Sequence, residues 1–167
     1  MDLILELKDW VFDVDIAMNM ECSSSQAADH CLCGYCRNYY TAVDSAYPHL
    51  RPFLQQFGLN IEGPDELSPF EPTIYEATYL VNGMVLQKGT QPLYLDNTPL
   101  YIQSQDESDL ETERKAPYFT VVFGLMELPW FLDEPMDQVT SPANEDAYLD
   151  RMWNKLLKRS NEEIYTQ

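Results

Sequence analysis

Cys31-Leu32-Cys33-Gly34-Tyr35-Cys36, with Cys22 a short way upstream, is the one stretch whose residue types and spacing could do chemistry. All four cysteines of the 167-residue chain lie between positions 22 and 36. Three kinds of site fit such a cluster. Zinc takes four thiolate or imidazole ligands in a tetrahedron, commonly from short knuckles such as Cys33-Gly34-Tyr35-Cys36. Cys22, Cys31, Cys33 and Cys36 would make that set, with His30 as a substitute ligand. Against zinc, strong signatures carry two separated pairs, and Cys31-Leu32-Cys33 is tight for a ligand pair.

The second kind of site is a redox-active dithiol. A Cys-x-x-Cys opening a helix has its first sulfur close to unpaired backbone N–H groups and the positive end of the helix dipole, which favours a thiolate nucleophile. Cys33 and Cys36 have that spacing, and Thr98-Pro99 downstream could supply a facing proline. The βαβ surroundings of a thioredoxin-like chain are missing from the pattern. The third is plain burial, since cysteine is among the most buried residue types and fills joints as a small apolar group. His30 and His49 are the only histidines, and neither accompanies a nucleophile pattern, so a hydrolytic triad gains no support. No carboxylate spacing singles out a glycosidase-like acid pair.

The elements that must position the cysteines follow from periodicity. Trp10, Phe12, Val14, Ile16 and Met18 alternate with Val11, Asp13, Asp15 and Ala17, which predicts a half-buried strand over 10–18 with its two aspartates on a solvated face. Met20 to His30 is Ser-rich and predicted to be a loop that folds Cys22 toward the other cysteines. Tyr35, Tyr39, Ala42, Val43 and Ala46 keep helical spacing, with Pro48 closing the segment. Leu50, Phe53, Leu54 and Phe57 form the stripe of a second helix, and Gly58 stands where a C-terminal glycine belongs. Leu59 to Pro72 reads as a proline-punctuated loop.

The middle of the chain is predicted to be β-rich. Thr73–Val81 and Met84–Lys88 flank Asn82-Gly83, a hairpin signal because both residues tolerate positive φ. Leu93–Leu95 and Leu100–Gln103 make a short pair around Asp96-Asn97-Thr98-Pro99. Residues 105–115 carry five acids and read as a solvated loop. Phe119, Val121, Phe123 and Leu125 alternate in a strand expected to be central, with Val122 and Met126 on its other face. After Ser141-Pro142, residues Tyr148, Leu149, Met152, Trp153, Leu156 and Leu157 predict a final amphipathic helix, with cations toward its C-terminus as the dipole favours. The whole is a single domain over 1–167: α+β, mainly antiparallel sheet, about three helices, with no repeat and no βαβ alternation.

Charge narrows the function classes. Twenty-eight acids stand against 10 lysines and arginines, for a formal charge of −18. Such a surface repels phosphate backbones and anionic bilayers, so neither nucleic acid nor membrane is an expected partner, and a cationic protein is. Asp2 and Glu6 stand where a signal peptide would carry Lys or Arg, no apolar run is long enough to span a bilayer, and the expected compartment is the cytoplasm.

The run Cys31-x-Cys33-x-x-Cys36-Arg37-Asn38-Tyr39, followed by Phe53-Leu54, Phe57-Gly58-Leu59 and a loop rich in Pro and Glu, resembles a group of small uncharacterised bacterial proteins. They share a Cys-x-Cys-x-x-Cys-Arg-Asn-aromatic signature. The resemblance is best over residues 31 to 66, touches Pro129-Trp130, and does not extend to the charged segment or the last helix. It implies a bacterial cytosolic α+β domain of unknown function and transfers no active site. The residues themselves then point to a non-catalytic binding protein of immunity or inhibitor type, with an acidic surface for a cationic partner. A zinc site at the cysteine cluster and a thiol oxidoreductase using Cys33 and Cys36 are the alternatives.

Overall fold

The computed structural model of the chain describes residues 2–28, 33–71, 73–115 and 117–133. Their elements run β1 (Asp2–Leu7), β2 (Trp10–Asp15), α1 (Ile16–Ala28), α2 (Gly34–Ala46), α3 (Leu50–Gln56), β3 (Glu66–Glu71), β4 (Ile74–Gln87), β5 (Leu93–Leu95), β6 (Thr98–Ser104) and β7 (Tyr118–Glu127). The seven strands form one antiparallel sheet in the order β1-β2-β4-β7-β6-β5, with β3 added alongside β4. The architecture is α+β, as the pattern predicts. The amphipathic helix expected after Ser141 lies outside the described residues. No helix among the described residues is long and apolar enough to cross a membrane.

β4 is the spine. Its alternating Tyr75, Ala77, Tyr79 and Val81 are all fully buried, as are Phe12 and Val14 of β2 and Phe119 and Val121 of β7. On them sit the apolar faces of α2 and α3. Phe12 stacks on Phe119 at 5.0 Å, Phe57 meets both edge-on, and Phe53 and Tyr79 each meet Phe123 edge-on. Offset and edge contacts of this kind are worth about 0.5–1.5 kcal/mol each beyond the area they bury. The reverse face is buried too, but with mixed chemistry: Thr78, Leu80, Gln103, Thr120 and Val122. β7 is thus central and covered on both sides, as expected. Met126, however, does not share the face of Val122. A register shift between its partners Tyr75 and Ala77 turns it back onto the helix side.

Four stretches differ from the sequence reading: Asp2–Leu7, unassigned in the sequence, forms the edge strand β1, and the other three are taken in turn. The first is 10–28, where the strand stops at Asp15 and α1 begins at once, running to Ala28 through the Ser-rich stretch expected to be a loop. Asp15 does not merely face solvent: its Oδ1 accepts the Met18 N–H at 3.1 Å, the bond that caps a helix start. The second is Asn82-Gly83, which sits inside β4 rather than turning the chain. Gly83 has φ +147° and passes so close to the backbone of Asp13 that a Cβ would overlap its carbonyl. The third is 66–71, where a strand pairs with β4.

Other local signals act as expected. α3 ends in a Schellman motif: the Leu59 N–H reaches the Leu54 carbonyl and the Gly58 N–H the Gln55 carbonyl, both at 3.0 Å, with Gly58 at φ +79°. Asp96 and Asn97, at φ +49° and +66°, make the two-residue turn between β5 and β6. β1 is an edge of the sheet and pairs only with β2 among the described residues. The β1–β2 turn clasps the strap after β4: Asp9 Oδ2 accepts the Thr90 N–H and hydroxyl, and Trp10 Nε1 reaches the Gln91 carbonyl at 3.3 Å. The Thr90 hydroxyl, then its N–H, hold the Asp9 carboxyl below its usual pKa.

A buried hydroxyl relay ties helix, loop and sheet. Tyr79 donates to the Ile61 carbonyl at 2.6 Å, so the 2.7 Å contact between the hydroxyls of Tyr39 and Tyr79 has Tyr39 as donor. Burial pushes the pKa of both phenols up, so both remain neutral donors. Replacing Tyr79 with Phe strands the Ile61 carbonyl and the Tyr39 hydroxyl together. The expected cost is about 1–3 kcal/mol, read as a lower urea midpoint at unchanged m-value.

Candidate functional site

The cysteines divide between two places. Cys33 is the N-cap residue of α2, with extended backbone at φ −65° and ψ 161°; it is exposed, and its side chain makes no capping bond. Cys36, one turn on, is buried beneath it. Cys31 and His30 lie outside the described residues. Cys22 is not on a loop: it lies in the middle of α1, and its sulfur accepts Arg114 Nη2 at 3.0 Å. Among the described residues, no group of three or more His, Cys, Asp and Glu side chains is placed to hold a metal ion.

Arg114 leads to a second site that sequence reading missed. α1 turns Asn19 and Ser23 inward, both nearly or fully buried, with Cys22 on the same side. Asn19 donates from Nδ2 to the Phe57 carbonyl at 2.8 Å. Its Oδ1 accepts the Asn82 N–H at 2.7 Å and the Asn82 side-chain amide at 2.8 Å. Asn82 Oδ1 in turn accepts Arg114 Nη1 at 2.6 Å. The Ser23 hydroxyl accepts the Asn60 N–H at 2.6 Å. Beside this chain of bonds opens a cleft of about 260 Å³, lined by Glu21, Cys22, Ser25, Gln26, Asp65 and Arg114 among others.

Asp65 is the cleft carboxyl whose pKa is raised. Its Oδ2 accepts the Leu80 N–H at 2.7 Å. Crowding by protein atoms raises its pKa from 3.8 to about 6, against the lowering by the Leu80 bond and by Arg114. The residue as a whole is nonetheless exposed to solvent. A carboxyl with a raised folded-state pKa binds more protons folded than unfolded between the two values. Its contribution is therefore most favourable below about pH 4 and is lost as pH climbs toward 6. Asp65→Asn keeps an acceptor for Leu80 and removes the titration. Its stability relative to the parent is expected to rise across pH 4 to 6, measured by urea unfolding at several pH values.

Arg114 is the residue of the acidic loop 105–115 that lines the cleft, and the loop is fixed at three points. The Ser104 hydroxyl donates to Glu107 at 2.8 Å, the hydroxyls of Ser108 and Thr120 lie 3.4 Å apart over the reverse face of the sheet, and Arg114 enters the bond chain just described. With Arg114 turned inward, Asp106, Asp109, Glu111 and Glu113 remain exposed, and none has an ion-pair partner among the described residues. Other acids are committed elsewhere. Asp44 and Glu62 both hold Arg51, which raises its already high pKa and joins α2, α3 and the following loop. Asp96 accepts His49 Nδ1 at 2.5 Å and its backbone N–H at 3.1 Å; burial pushes its pKa up, but these two bonds outweigh that and lower it.

The signal for this site was present but faint. Arg114 is one of few cations in a segment otherwise acidic, and nothing local says that it turns inward. Comparison with protein-family models, with curated proteins and with solved structures finds no match in any of the three.

Proposed function

We propose that the protein is a non-catalytic binding module that docks a cationic protein segment on the acidic loop 105–115 and the cleft beside it, within the cytoplasm. One observation carries this reading: four exposed carboxylates stand on a loop pinned at three places, while the arginine of that loop is withdrawn into the protein. A pinned loop loses little conformational freedom when a partner binds, so more of the interaction shows as affinity. Its net negative charge, four exposed carboxylates against the exposed Lys115, is part of the overall −18 and steers a basic partner and speeds its approach. Glu21 and Asp65 share the cleft lining with Arg114, so the exposed loop carboxylates are the charges that a basic partner meets first.

The test is capture of basic proteins at low salt by the parent chain and by a variant with Asp106→Asn, Asp109→Asn, Glu111→Gln and Glu113→Gln. These exposed amides keep shape and remove charge. The captured partner is expected to bind the variant about tenfold or more weakly, and to leave the parent as salt rises, because rim charges beyond a Debye length of ~8 Å are screened at physiological ionic strength. A partner held equally by both chains, or unaffected by salt, would sink the reading.

A further inference from the structure

Cys33 and Cys36 take no part in that docking surface, yet the fold arranges them unequally. Cys33 stands outside the first turn of α2, exposed, with its carbonyl already accepting the Arg37 N–H at 2.9 Å. Cys36 is inside the first turn and buried. The side chains of an N-cap residue and of the residue three on face one another across the helix start, and both cysteines lie near Tyr75. The structure holds both as thiols.

The floor beneath the pair is built and neutral. Tyr75 donates to the Tyr35 carbonyl at 3.1 Å and accepts Asn38 Nδ2 at 3.4 Å. Burial, above all, pushes its pKa up to about 12, with smaller contributions from the neighbouring Cys36 and Cys33. Asn38 also binds the Pro129 carbonyl and the Phe131 N–H at 3.1 and 2.8 Å, which lays Trp130 edge-on against Tyr35 at 5.8 Å. Phe131 stays 53% exposed at the end of this strap. Disulfide exchange requires an accessible sulfur to attack and a second thiol close by to resolve, and the start of α2 offers an exposed and a buried cysteine three residues apart.

We propose that Cys33 and Cys36 are a dithiol–disulfide pair that exchanges with small disulfides, Cys33 attacking and Cys36 resolving. The Cys33 thiolate attacks one sulfur of the incoming disulfide, forming a mixed disulfide and expelling one thiolate. The Cys36 thiolate then attacks the Cys33 sulfur, closing the Cys33–Cys36 bond and expelling the second thiolate. Two protein thiols are oxidised, one disulfide is reduced to two thiols, and the two protons pass to the departing sulfurs.

The probe is glutathione disulfide. The full chain is equilibrated in graded mixtures of glutathione and glutathione disulfide, then differentially alkylated and mapped by mass spectrometry. A single two-electron transition linking Cys33 to Cys36 is expected. Cys36→Ser should instead accumulate one glutathione on Cys33, and Cys33→Ser should cut the reaction of the pair with glutathione disulfide by about tenfold or more, since the shielded thiol lacks access. Cys33→Ser is an exposed change and keeps the fold. If Cys36→Ser unfolds, Cys36→Ala supplies the same readout. Independent alkylation of the two thiols at every ratio, linkage to Cys22 or Cys31 instead, or about one bound metal per chain shielding both sulfurs would each overturn the assignment.

Discussion

Replacing Gly83 with alanine is expected to cost about 3 kcal/mol or more, an effect far above the ordinary surface substitution of about 0.5 kcal/mol. Two independent reasons combine. At φ +147° an L side chain is strained wherever it sits, and the added Cβ would overlap the Asp13 carbonyl of the adjoining strand. Neither atom can yield cheaply, because both belong to backbone paired between β2 and β4. For a chain of this size the melting temperature should fall by roughly 6–12 °C. If 82–83 were instead the tip of a hairpin, as its sequence predicts, alanine would meet open space and cost only the roughly 1–2 kcal/mol of a left-handed L residue. Thermal unfolding of the single variant separates the two arrangements, with Met84→Ala, at a 51% exposed neighbour, as the control expected to change little.

The second large effect is expected at Asn19. This side chain is fully buried and satisfies the Phe57 carbonyl, the Asn82 N–H and the Asn82 amide at once. Alanine leaves those groups without their partner, and each stranded buried polar group costs about 1–3 kcal/mol, so a loss of roughly 2–4 kcal/mol is expected in urea unfolding. Because Asn82 belongs to the same network, Asn19→Ala and Asn82→Ala should not add. A double-mutant cycle is expected to show about 1–2 kcal/mol of coupling; a coupling near zero would mean that the two amides act independently.

The same residues show where the sequence was legible and where it was not. α2 and α3 were readable because their apolar residues fall on one face and the local punctuation agrees, Gly58 included. β7 was readable because both of its faces are apolar enough to demand cover. α1 was hidden by coincidence. Ile16 and Met18 continue the alternation of Trp10, Phe12 and Val14, although Met18 and Met20 in fact face outward and the buried face is polar: Asn19, Cys22 and Ser23. A helix that buries amides and hydroxyls leaves no hydrophobic stripe to find. Asn82-Gly83 misled for a related reason. The glycine was needed for a positive φ, but its cause is a neighbouring strand some seventy residues earlier, not a turn. The cleft inherits both difficulties, since α1 and the residues flanking Gly83 build it. Only the cysteine pair at the start of α2 could be placed from sequence alone.

One consequence follows from the position of β1. Its outer edge carries backbone donors and acceptors that no described strand engages, and Leu3 and Ile4 are about half exposed along it. Such a border is adhesive toward its own kind, and mutual repulsion between like-charged copies is the available safeguard. The surplus of carboxylates thus opposes such self-association, whatever else it serves. Recognition confined to a single loop leaves that safeguard in force, whereas a ligand that blanketed the whole exterior would cancel it.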